Sequence, residues 1–341
     1  MENLNMNTFI FAANSVLPII ITIVLGYMLG QTGFFDGGFL KTANKTVFRV
    51  ALPVYLFYNI YSVEGFGAVN WPLVLFAMLL ILAIFVIALV CVCLYTKDNK
   101  KRGALLQCSF RSNFAIIGVT LAEAMGGVES VAAAAVISAF SIPIFNILAV
   151  ACLTVFGDDT NKGIDIKKIL KGIAKNPLII GVLLGIITLL IRSKIPMNDG
   201  EYIFTIKNQL PFLYKAIKSV GSMASPLALL VLGGQFKFSA VKSLAKDIAF
   251  GTVWRLILTP LICIGGLILI SKTGIGLVVS SVEMPAIIAL YCSPVAVASA
   301  IMAEEMNSHG ELARQLVVWT SLLSIFTMFF TIALFRHIGM I

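Results

Sequence analysis

Apolar runs of about 20 residues, the length a helix needs to cross a bilayer, recur along the whole chain. Ten such segments are predicted, at roughly 9–30, 40–61, 72–95, 104–125, 130–155, 172–191, 219–236, 248–270, 284–303 and 312–335. Residues 203–218 (IFTIKNQLPFLYKAIK) mix apolar and basic positions and read as an interfacial lead-in to the seventh segment. The fourth and ninth segments are the weakest by hydropathy, because polar residues interrupt each in mid-run. Arg111, Ser112 and Asn113 do so within Gln107–Gly126 (QCSFRSNFAIIGVTLAEAMG), and Ser293 and Pro294 do so in the ninth. A continuous membrane helix has no need of such residues. A helix that breaks at mid-membrane does, since its unpaired backbone groups must face a cavity or another polar group. Two interrupted segments in corresponding halves are the sequence mark of a transporter's binding site.

The two interruptions are related. Sliding the chain by 181 residues puts Ser112-Asn113 on Ser293-Pro294, Ala122-Glu123 on Ala303-Glu304 and Met125 on Met306. Pro18 to Gly26 of the first segment (PIIITIVLG) matches Pro177 to Gly185 of the sixth (PLIIGVLLG), and Pro53 of the second has a partner in Pro226 of the seventh. The offsets rise in order, as one duplicated unit with loop insertions would give. Five helices per half make the second half enter from the opposite side, so the repeat is inverted. The expected fold is therefore an all-α polytopic membrane protein of ten transmembrane helices. Residues 1–156 would form the first five-helix repeat, 157–171 a polar linker and 172–341 the second repeat.

Composition agrees with this picture and removes others. Of 341 residues, 59% are hydrophobic and 12% charged, and the mean hydropathy is +1.00, outside soluble globular usage. The net charge of +9 is not a nucleic-acid signature, because the basic residues cluster in short loops between apolar runs. Loops after odd-numbered segments hold Lys41 and Lys45, then Lys97, Lys100, Lys101 and Arg102, then five lysines from Lys162 to Lys175, then Lys237, Lys242 and Lys246. Loops after even-numbered segments are poorer, apart from 192–218. The positive-inside rule places the odd loops in the cytoplasm and both termini outside a plasma or inner membrane. All six cysteines lie in apolar segments, with neither disulfide nor metal spacing. The N-terminus has no basic region or cleavage site of a removable signal peptide.

Several short motifs together resemble the auxin efflux carrier family over nearly the whole chain. They are the exit from the first helix through Gly26, Gly30, Gly33 and Phe34, the Leu52-Pro53 pair, and the Ser112-Asn113 and Ser293-Pro294 breaks. The resemblance implies two inverted five-helix repeats whose broken helices four and nine cross at mid-membrane. Helices one, two, six and seven would be a scaffold, and three to five and eight to ten the moving part. It implies a homodimer joined through the scaffold, and a carboxylate substrate met by Asn113 beside the crossover proline, Pro294. One departure is clear. Plant members also carry proline in the fourth helix, whereas none lies between Pro72 and Pro143 here. Either Ser112 and Asn113 cap a true break or the helix is only bent. The large cytoplasmic loop of many plant members is also missing, so its phosphorylation control does not transfer.

The residues make their own case for a small organic anion. Half-helices that begin at mid-membrane present free N–H groups and positive partial charge, and Ser112, Asn113 and Ser293 can donate hydrogen bonds beside them. Capping the broken helices is the alternative role for the same residues. Arg111 lies roughly 12 Å into its helix, where a charge must snorkel or meet an anion, and Arg255 in WRLILTP is placed alike. Asn146 is the asparagine furthest from a segment end, suited to the substrate or to interhelical packing. No aspartate lies inside an apolar segment, which argues against crossed-helix cation–proton antiport. Glu123 and Glu304 would carry protons if they were buried. Sodium coupling, as in a bile-acid type symporter of organic anions, is the alternative. Neither a cofactor, a metal pair nor a P-loop motif is present, so the expected protein is a transporter and not an enzyme.

Overall fold

The computed structural model describes residues 2–62, 70–157, 171, 174–198, 201–271 and 279–341. Most of the expected linker, 157–171, lies outside them, as do the tips of the loops after segments two and eight. The described chain is helical apart from one antiparallel pair of two-residue strands, β1 (Met197–Asn198) and β2 (Glu201–Tyr202). Five of its helical runs are long and apolar enough to cross a membrane: Trp71–Tyr95, Glu129–Gly157, Pro211–Gly234, Ser239–Ser271 and Gly310–His337.

The helices start where capping chemistry starts them. α1 (Glu2–Gln31) leaves through Gly33 at φ 76, and Asp36 opens α2 (Gly37–Thr46) by accepting from the Phe39 N–H at 2.6 Å. α2 passes through a π-helical turn, Val47–Ala51, into α3 (Leu52–Tyr61). Asn70 caps α4 (Trp71–Tyr95) at Leu73 N–H, and Asp98 caps α5 (Asn99–Phe110). α6 (Val119–Gly157) contains a sharp kink at Gly127, whose φ of 70 is open to glycine.

Asn176 accepts from Leu178 N–H to open α7 (Pro177–Ser193), with Pro177 in the first turn, where its missing N–H costs nothing. A short helix α8 (Ile206–Gln209) precedes α9 (Pro211–Ser222), which runs into α10 (Ala224–Gly234). The seventh segment thus begins at Pro211 rather than at 219, and the second half of the expected lead-in, residues 211–218, is its first two turns. α11 (Ser239–Val253) continues through a π turn, Trp254–Leu258, into α12 (Thr259–Ser271). α13 (Met284–Cys292), α14 (Ala298–Glu305) and α15 (Gly310–His337) complete the chain.

Two helix pairs pack closely because glycines let their backbones approach. α1 lies on α10, with Gly26 facing Leu230, and a Cβ added at Gly30 would come within 2.8 Å of the Gly234 carbonyl. α3 lies on α7, with Gly181 under Pro53 and a Cβ at Gly185 within 2.9 Å of Ile60. α5, α6, α13, α14 and α15 pack around one another, and Ala104, Leu105, Leu106, Ile288, Ala303 and Leu316 are fully buried among them. Outward-facing positions of α4, α7 and α12 stay apolar, as at Leu79, Leu190 and Leu269. That is the surface expected against lipid rather than water.

Candidate functional site

The fourth and ninth segments are both interrupted, and the interruptions meet. α5 ends at Phe110, Arg111 is extended (φ −81, ψ 106), and helix resumes with a π turn at Phe114–Gly118. α13 ends at Cys292, Ser293 is extended (φ −63, ψ 148), and α14 starts at Ala298. The two unwound stretches form an antiparallel bridge between Ser112 and Val295. Asn113 N–H donates to Pro294 O at 2.9 Å, and Ala296 N–H to Arg111 O at 3.3 Å. The fourth segment is therefore broken, not merely bent. It needs no proline, because peptide groups released by unwinding in one segment are satisfied by the other.

Arg255 holds the opposite side of the break. Fully buried, it donates through Nε to Ser293 O (2.9 Å), through Nη1 to Phe110 O (3.1 Å), and through Nη2 to Leu290 O (3.3 Å) and Tyr291 O (3.1 Å). These are the carbonyl ends of α5 and α13, where helix dipoles favour a cation. Thr259 adds a bond from its hydroxyl to Ser109 O at 3.0 Å.

A cavity of about 50 Å³ lies between the breaks and the α3, α7 and α10 group. Arg111, Ser112, Asn113 and Asn146 line one side, and Tyr55 and Ser225 the other. Arg111 donates to Asn146 Oδ1 at 2.8 Å and to the Met302 sulfur, while Asn146 Nδ2 donates to Ile142 O at 2.8 Å. Among the described residues no carboxylate pairs with Arg111. The Asn113 Nδ2 and Ser112 Oγ atoms are buried and have no hydrogen-bond partner. Two of the polar side chains at this wall, Ser112 and Asn113, thus hold hydrogen-bonding capacity that the fold leaves unused, a costly arrangement without a ligand.

The other expected site residues are placed differently. Ser293 donates its hydroxyl to Ala289 O at 2.6 Å, and neither Ser293 nor Pro294 lines the cavity. Glu123 is exposed. Glu304, 41% exposed, pairs with Arg314. Neither glutamate has the burial on which a proton-carrying role rests. Tyr55 and Ser225 escaped the sequence reading because each is an ordinary interfacial residue until the bundle brings it to the break. Arg255 carried a signal, a cation deep in an apolar segment, but its partners are backbone atoms that no side-chain pattern reveals.

Two comparisons relate the chain as a whole to known proteins. A family model described as membrane transport protein matches residues 11–159 and 160–332. An uncharacterized transporter of Methanocaldococcus jannaschii is 27% identical over 248 residues, covering 71% of this chain and 72% of the relative.

Proposed function

The chain belongs to the membrane transport protein family, the auxin efflux carriers and related permeases, and from that premise we propose that it is a secondary transporter of a small organic anion, binding a carboxylate at the crossing of its fourth and ninth segments. The observation that carries this reading is Arg111: a buried cation on the cavity wall with no carboxylate beside it among the described residues. A charge in that position calls for an anion. The unpartnered Asn113 Nδ2 and Ser112 Oγ are the donors an anion would use, and the Asn146 amide would orient the guanidinium. Ser293 and Pro294 would shape the break from behind. About 50 Å³ is room for a few water-sized groups, enough for a carboxylate head.

The reading includes two inverted repeats working by alternating access. Equivalent contacts support it: Gly26 faces Leu230 across α1 and α10, while its counterpart Gly185 faces Ile60 and Phe57 across α7 and α3. At the bridge, Asn113 bonds to Pro294, its own counterpart in the repeat. The α1–α3, α7, α9 and α10 group would stay fixed while the rest rocks against it, exposing the cavity to either side. A homodimer through the fixed group and outward termini follow from the same family reading.

Thermal shift of the purified protein against a panel of small carboxylates tests the proposal, since a ligand of the folded state raises its melting temperature by mass action. Asn113→Ala should melt near the wild-type temperature without ligand, because the lost amide nitrogen has no partner, and should lose the ligand-induced rise. Replacing sodium by potassium should leave the rise unchanged. An equal rise in both proteins would place the anion elsewhere, and a rise that needs sodium would make the protein a sodium symporter.

A further inference from the structure

A second polar concavity lies away from the breaks, at the end of α4. It has a volume of about 520 Å³ and is lined by Tyr95, Thr96, Lys101, Lys242, Lys246 and Asp247, among others. Its charge is unbalanced, with three lysines against one aspartate. Asp247 is taken, because Lys101 Nζ pairs with it at 2.8 Å. Lys242 and Lys246, one turn apart on α11, are exposed, and among the described residues no carboxylate pairs with either.

The walls are fixed. Arg102 donates to Cys93 O at 3.1 Å and to Thr96 O at 2.7 Å, and the Asp98 carboxylate accepts from Lys101 N–H at 3.1 Å. Tyr95 stacks on Phe250 with ring centroids 4.2 Å apart, joining the end of α4 to α11. Beyond this stack the surface turns apolar, with Leu94 exposed near the end of α4, Val253 at the end of α11 and Ile257 in the π turn after it. A basic hollow bounded by aromatic rings and continued by an outward apolar surface combines a place for an anionic head with a place for its chain.

We propose that this hollow binds the phosphate of an anionic phospholipid in the adjoining leaflet, with Lys242 and Lys246 on the phosphate and the acyl chains along Leu94, Val253 and Ile257. The inference is independent of the transported substrate. It can be tested on purified protein in neutral detergent by titrating phosphatidylglycerol, with phosphatidylcholine as reference, and following the melting temperature.

Each lysine near an anionic lipid contributes roughly a factor of five. The half-saturating phosphatidylglycerol concentration should therefore rise about 30-fold in Lys242→Gln/Lys246→Gln, both exposed positions that the fold does not need. Lys41→Gln/Lys45→Gln, which removes the same charge from exposed positions on α2, away from the hollow, should change it less than about twofold. Equal losses in the two double variants, or none in either, overturn the site. Glycerol phosphate should give no shift at concentrations where the lipid saturates. A full shift by glycerol phosphate would overturn the lipid as the source of the phosphate.

Discussion

Arg111 Nη2 donates to Asn146 Oδ1 at 2.8 Å, tying the break in the fourth segment to the middle of α6. The orientation of the amide is fixed from behind. Asn146 Nδ2 donates to Ile142 O one turn earlier, so the oxygen must turn toward the guanidinium. Together with the bond to the Met302 sulfur, this bond holds the cation at the cavity wall without neutralising it.

Two substitutions separate anchoring from charge. Asn146→Ala leaves a buried guanidinium one acceptor short and should destabilise the protein by about 2 kcal/mol. Asn146→Asp puts a carboxylate where the amide oxygen was, which should preserve folding and reduce carboxylate-induced stabilisation at least about tenfold in apparent affinity, roughly 1.4 kcal/mol. Denaturation curves and ligand titrations on the two variants measure this. Carboxylate binding that survives Asn146→Asp unchanged would show that Arg111 does not meet the substrate.

Much of this arrangement was legible in the chain itself. Arg111, Ser112, Asn113 and Asn146 stood out because polar groups in an apolar run have few reasons to be there, and all four line one cavity. The helix spacing of Gly26 and Gly30 is explained by their contact with α10. What stayed hidden depends on long-range backbone geometry. The broken fourth segment lacks proline, and its break rests on a peptide bridge to Val295, which leaves no local pattern, and on Arg255, whose backbone partners leave none. Glu123 and Glu304 depend on burial that a sequence pattern does not give. Their matching positions in the repeat invited a shared titrating role, yet each ends at the surface.

A polar clasp joins the two groups of helices on the lysine-rich face. Asn44 Nδ2 donates to Glu305 Oε1 at 2.8 Å, Arg314 Nη1 to Gln235 Oε1 at 3.1 Å, and Gln315 Nε2 to Lys237 O at 2.8 Å. Each bond crosses from α2, or the end of α10 and the turn after it, to α14 or α15. Under alternating access these bonds must open together. Asn44→Ala/Gln235→Ala should therefore shift the population toward the state open on this face, by roughly fivefold if each bond is worth about 0.5 kcal/mol net. A cysteine introduced at Ser225, on the cavity wall, reports the shift through its alkylation rate by an impermeant maleimide, read at that position by mass spectrometry. An unchanged rate would mean that the clasp is not the closed gate.

His309 gives the fold a pH response. Burial holds its imidazole below the ordinary value of 6.5, against the nearby Asp98, which raises it. Its Nδ1 accepts from Leu312 N–H at 3.2 Å and caps α15. A histidine whose pKa is lowered by folding stabilises the protein while it is neutral. That contribution is complete above about 6.5, and it is lost as pH falls through 6.5 toward the lower folded value. Melting temperature should therefore drop between pH 7 and pH 5. His309→Asn, which keeps a capping side chain and removes the titration, should flatten that part of the curve. An unaltered slope in the variant would assign the response to other groups.

Arg255 is the residue whose loss should harm the fold most. Its guanidinium spans the carbonyl ends of α5 and α13 with four donated hydrogen bonds, at a depth where no water replaces them. Arg255→Met fills similar space but strips these carbonyls of their donor and the two helix ends of their cation. With each orphaned buried group costing about 1–3 kcal/mol, the variant should lose at least about 2 kcal/mol even if half the four carbonyls find other partners. Arg255→Lys keeps the charge near both C-termini, but a compact ammonium cannot reach acceptors spread over two helices as a planar fork does. Its loss should be intermediate. Chemical denaturation of the three proteins in one detergent gives the order directly. If lysine and methionine are equally harmful, the geometry of the fork matters and the charge does not. If methionine costs less than about 1 kcal/mol, the break is held by its peptide bridge alone.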